Sequence, residues 1–92
     1  MLVYFDRKGF IKKYYEPEPD SIELAEGSTL KDFCIKVNET AEGEAKHALW
    51  NSKAKRYRGP VMISIDGKSV KDLSYRLKDG QRITLAYYVI GG

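Results

Sequence analysis

Residues 61–92 read VMISIDGKSVKDLSYRLKDGQRITLAYYVIGG. Val61, Ile63 and Ile65 alternate with Met62 and Ser64, the period of a strand with one buried face. Asp66-Gly67 supplies the positive φ that a tight hairpin turn requires. Leu73, Tyr75 and Leu77 repeat the alternation, Asp79-Gly80 turns the chain, and Ile83, Leu85, Tyr87 and Val89 alternate to the end. A last strand with so apolar a face has to be central enough in its sheet to bury it. Gly91 and Gly92 add nothing to that strand, because glycine loses the most backbone freedom on ordering.

Working outward, Thr29 followed three residues later by Asp32 fits a capping box, with the acidic group also favoured by the helix dipole. Leu30, Phe33, Cys34 and Val37 fall at i, i+3, i+4 and i+7, one apolar stripe that must lie against a sheet. Glu42 to Trp50 reads as a second, shorter helix. Residues 51–59, NSKAKRYRG, have no apolar period and read as a mobile basic loop. Met1 to Phe5 is apolar, Asp6-Arg7-Lys8-Gly9 has turn chemistry, and Phe10 to Tyr15 reads as an exposed strand. Glu16-Pro17-Glu18-Pro19-Asp20 breaks any ladder, and Ser21 to Ala25 extends again. Which two of these three extended segments form the opening hairpin stays open. Strands, one capped helix, then more strands predict an α+β fold, a mixed sheet packed on one main helix. At this length the ubiquitin-like β-grasp is the expected architecture.

The chain has 92 residues, enough for a single domain over 1–92 that buries roughly two-thirds of its unfolded surface. Its 16 basic and 13 acidic residues leave a net charge of +3, which favours acidic partners without demanding nucleic acid. The single cysteine cannot form an internal disulfide, and the apolar runs fall far short of the ~20 residues of a membrane span. The opening MLVYFDRKGF lacks the layout of a secretory signal, so a cytoplasmic protein without membrane association is expected.

The segment MISIDGK, the stretch LSYRLKDGQRITL with Leu77, Asp79, Gly80 and Ile83 at its turn and strand entry, and the terminal Gly-Gly resemble one family. It is the sulfur carriers that include the small subunit of molybdopterin synthase, the thiamine-thiazole sulfur carrier and the ubiquitin-related modifier. SIELAEGSTLKDF resembles the family's strand, acidic-Gly turn and helix start. Tyr87-Tyr88-Val89-Ile90 stands where two of these branches place prolines and is closer to the modifier branch, which leaves the pathway open.

The resemblance implies a carrier that is itself no enzyme. Its Gly92 carboxylate would be adenylated by a partner activating enzyme that uses ATP, and the chain would bind no cofactor of its own. Sulfur from a donor enzyme would then make a thiocarboxylate for a downstream synthase, in cofactor, amino-acid or tRNA-thiolation biosynthesis. Gly91, Ile90 and Val89 would form the tail, with about 88–92 flexible, and residues without Cβ suit a narrow channel. The same activated carboxylate allows a second role, a protein modifier conjugated to lysines. The free chain is expected to be a monomer.

If Ile83, Leu85, Tyr87 and Val89 face the helix, then Thr84, Ala86 and Tyr88 point outward, and Met62 joins them as an apolar docking patch beside the tail. Cys34 lies within the apolar stripe and reads as core. His47 has no Cys or acidic partner at ligand spacing, so no metal site is expected. Ser64, Asp66 and His47 form no triad that spacing supports. Lys53, Lys55, Arg56 and Arg58 around Tyr57 are the pattern of a nucleic-acid-binding module, a function of a different class. Glu39, Glu42 and Glu44 nearby and the small net charge argue instead for a solvated loop or a docking surface for an acidic partner.

Overall fold

The computed structural model describes residues 1–9, 20–40, 50–59 and 61–87. Its elements are β1 (Leu2–Gly9), β2 (Ser21–Glu23), α1 (Leu30–Thr40), β3 (Trp50–Asn51), β4 (Arg56–Tyr57), β5 (Met62–Ile65), β6 (Lys68–Ser69) and β7 (Arg82–Tyr87). Five strands form one mixed sheet in the order β2-β1-β7-β5-β6, and β3 and β4 make a separate two-stranded sheet. The last strand is interior, as its apolar face requires. It runs parallel to β1 from Tyr4↔Arg82 to Gly9↔Tyr87 and antiparallel to β5 from Met62↔Ala86 to Ile65↔Ile83.

One face of the sheet packs on α1. Val3, Phe5, Ile65, Ile83 and Leu85 from the strands meet Leu30, Phe33, Cys34 and Val37, with Ile22, Leu24, Trp50 and Leu77 closing the periphery. All four stripe residues of the helix are fully buried. Phe5 and Phe33 pack edge to face with centroids 5.4 Å apart, the arrangement that ring quadrupoles favour. The helix starts at a reciprocal box: Thr29 N donates to Asp32 Oδ2 at 2.8 Å, and Asp32 N donates to Thr29 Oγ1 at 3.3 Å. Asp66 and Gly67, both at positive φ, join β5 to β6 in the expected tight turn.

Three readings of the sequence change, and the open pairing of the first three segments is resolved. Residues 6–9 are no turn: they continue β1, because parallel pairing with β7 satisfies their backbone while Asp6 meets Arg82 at 2.8 Å and Arg7 meets Asp20 at 3.4 Å. Of the three opening segments, the first and third pair, with register Leu2↔Glu23 to Tyr4↔Ser21; residues 10–15 lie outside the described residues. Leu73, Tyr75 and Leu77 form no strand. Asp72 Oδ1 accepts from Ser74 N at 2.9 Å and Ser74 Oγ at 2.6 Å, an Asx turn that bends the chain, and these bonds hold the Asp72 carboxyl below its ordinary range. The segment docks on the helix start instead, where Leu30 N donates to Tyr75 O and Leu77 N to Ser28 O. Finally, Trp50 begins a strand and residues 51–59 are not an irregular loop throughout, since β3 and β4 pair as a hairpin. Of the expected second helix, residues 42–49 lie outside the described residues.

Candidate docking face and tail exit

Strand alternation places Tyr4, Asp6 and Lys8 of β1, Arg82, Thr84 and Ala86 of β7, and Met62 and Ser64 of β5 on the sheet face away from the helix. The registers set them in rows. Lys8, Ala86 and Met62 form one row, Asp6, Thr84 and Ser64 the next, and Tyr4 with Arg82 a third. Met62 is 55% exposed, and Lys8, Met62, Ser64, Ser69, Thr84 and Ala86 line an open depression of about 400 Å³. Met62, Thr84 and Ala86 are thus brought together. Tyr88, Val89, Ile90, Gly91 and Gly92 lie outside the described residues, as does His47.

Two features of this face escape sequence reading. Lys8 joins the Met62–Ala86 row only because β1 continues through residues whose chemistry suggests a turn. At the opposite end, the Arg82 guanidinium lies 5.3 Å from the Tyr4 ring centroid and 2.8 Å from Asp6 Oδ1. That contact joins residues at opposite ends of the sequence, and no local pattern announces it.

On the helix side, β7 ends at Tyr87, half-buried and packed on the core as its alternation predicts. Against it lies the end of the basic hairpin: a Cβ placed on Gly59 would stand 3.8 Å from Tyr87 Cε1 and 4.0 Å from its hydroxyl oxygen. The hairpin is held firmly. Trp50 is 4% exposed, and its ring meets Tyr57 in a T at 4.9 Å. Asn51 Oδ1 accepts from Lys53 N and Ala54 N, both at 3.0 Å, which shapes the turn and lets Lys55 sit at a φ of 56°. Asn38, buried on α1, donates its amide to Cys34 O at 2.8 Å and to Tyr57 Oη at 3.4 Å, tying hairpin to helix. The signal for this order was present in Trp50 and Tyr57 bracketing an asparagine-led turn, but residues 51–59 taken alone omit the tryptophan.

Cys34 is buried among these groups. Burial pushes its thiol up to about 12, partly offset by a hydrogen bond with Tyr57, so it is a neutral core side chain at ordinary pH. Among the described residues no three His, Cys, Asp or Glu side chains gather as a metal site, and no helix is long and apolar enough to cross a membrane.

No curated protein matches the sequence. Among solved structures, the crystal structure of SAMP1 from Haloferax volcanii matches with a TM-score of 0.80 over 100% of both chains, at 12% sequence identity. A likeness at that identity speaks for the fold, here the ubiquitin-like β-grasp. The TGS domain family matches residues 2–86, from the first residue of β1 to the last but one of β7. That span takes in every strand of the main sheet and the helix beneath it, and the chain belongs to the TGS domain family.

Proposed function

We propose that this domain is a ubiquitin-like sulfur carrier whose reactive group is the Gly92 carboxylate. One observation carries the proposal: β7, the interior strand, ends at Tyr87 at the side of the sheet where Lys8, Ala86 and Met62 form their row. Residues 88–92 follow from a rigid anchor beside an exposed, partly apolar face, so a partner that seats this face receives the tail as well. Met62, Thr84, Ala86 and Tyr88 are its contact residues, and Val89, Ile90 and Gly91 thread the channel.

A carboxylate acylates poorly at neutral pH. The partner therefore transfers AMP from ATP to the Gly92 carboxylate and releases pyrophosphate. A persulfide of the donor enzyme displaces AMP to give an acyl disulfide, and a second thiol cleaves the S–S bond to free the thiocarboxylate. A downstream synthase consumes it. No residue of this chain acts as catalyst in that sequence.

Incubation with a candidate adenylating enzyme, ATP and a persulfide donor is expected to replace one oxygen by sulfur, read by intact-protein mass spectrometry. Deleting Gly91 and Gly92 is expected to abolish the change while leaving the thermal midpoint intact. An unchanged mass with an enzyme proven active on its own substrate defeats the proposal. Conjugation to lysines starts from the same adenylate, and the Tyr87-Tyr88-Val89-Ile90 sequence favours it as the second reading. Covalent adducts of higher mass in cells, rather than thiocarboxylate, would decide for it.

A further inference from the structure

We infer that the hairpin of residues 50–59 is a docking element for an extended acidic segment of the protein that receives the tail. The partner's identity rests on the carrier reading; the chemistry of the grip does not. Three observations carry it. The hairpin stands at the tail exit, because Gly59 lies against Tyr87 at the end of β7. It is pre-formed, anchored by Trp50 in the core and by Tyr57 on Asn38, so little ordering is needed on binding. Its charge is of one sign: residues 50–59 contain no acid, and exposed Lys53, Lys55, Arg56 and Arg58 make no ion pair among the described residues.

The geometry selects an extended ligand. Asn51, Arg56, Tyr57 and Arg58 line one open notch, with Arg56 and Arg58 on either side of an inward Tyr57. Alternate residues of an extended chain stand roughly 6.5–7 Å apart, so a partner strand can offer carboxylates two residues apart to the two arginines that line the notch. Each guanidinium can take a carboxylate through two parallel hydrogen bonds. A nucleic-acid strand fits less well. Stacking on an exposed ring is what makes single strands hold to such patches, and here Trp50 is buried while the Tyr57 ring is packed on it.

The test is fluorescence anisotropy at physiological salt with three labelled probes of equal charge. These are a peptide of alternating glutamate and alanine, the same residues arranged in two blocks, and an oligouridylate. The alternating peptide is expected to bind about tenfold more tightly than either competitor. The double substitution Arg56→Ser with Arg58→Ser is expected to remove that preference. Lys53→Ser with Lys55→Ser removes equal charge and is expected to keep it, and circular dichroism confirms that both variants fold. Equal binding of the two peptides, a preference that survives loss of both arginines, or tighter binding of the oligouridylate overturns the inference. The readout needs neither ATP nor an activating enzyme, and loss of Gly91 and Gly92 is expected to leave it unchanged. A chain that is never activated but prefers the alternating peptide therefore removes the carrier reading and keeps the docking element; activation without that preference does the reverse.

Discussion

Cys34 shows how one atom reports on its surroundings. Its folded-state value of about 12 stands above an ordinary 9.0, so the folded protein holds a proton that the unfolded chain has released between those limits. Stability from this group is fully present below pH 9 and is lost as pH climbs towards 12. Chemical denaturation across that interval is expected to show a steeper alkaline decline for the wild type than for Cys34→Ala. A thiol reagent at neutral pH is expected to label the native protein only as fast as it opens. Asp32 acts at the same scale. It accepts from both Thr29 N and Thr29 Oγ1, and Asp32→Ala is expected to cost about 1 kcal/mol in a denaturant titration.

Among the elements, the β3–β4 hairpin has the greatest consequence for its size. Trp50→Ala removes a buried ring and the partner of Tyr57, so a loss of about 3–5 kcal/mol is expected, measured as a lowered urea midpoint. Substituting exposed Arg56 is expected to leave that midpoint within about 0.5 kcal/mol. The contrast also shows where sequence reading works. The helix stripe at Leu30, Phe33, Cys34 and Val37, the Asp66-Gly67 turn and the alternation of β5 and β7 were legible because each is a local pattern locked to a structural period. The strand character of Asp6, Arg7 and Lys8 was not, because it depends on a partner strand near the far end of the chain. Leu73, Tyr75 and Leu77 misled in the other direction: their alternation is real, but the Asp72–Ser74 turn overrides it. For the candidate site, strand alternation located Met62, Thr84 and Ala86, whereas Lys8 came into view only with the parallel register.

For the molecule as a whole, the sheet is closed by its two ends. The strand nearest the start pairs along six positions with the last described strand. Truncation after Tyr87 is expected to leave cooperative thermal unfolding in place, while truncation after Gln81 is expected to abolish it, because Ile83 and Leu85 then leave the core. The parallel sense of this pair also decides how the domain answers to tension. A pull on the first residue and on the tail draws β1 and β7 in opposite directions along their common axis, so the hydrogen bonds from Tyr4↔Arg82 to Gly9↔Tyr87 share the force and must yield together. Where β5 and β6 meet at their turn, traction on the open ends separates the pairs one at a time, as a zipper does. In single-molecule stretching, rupture between the two termini is thus expected at higher force than rupture between attachment points at Ser64 and Ser69. A partner that tugs on the tail while the first residue is held would load this parallel pair in shear rather than peel it.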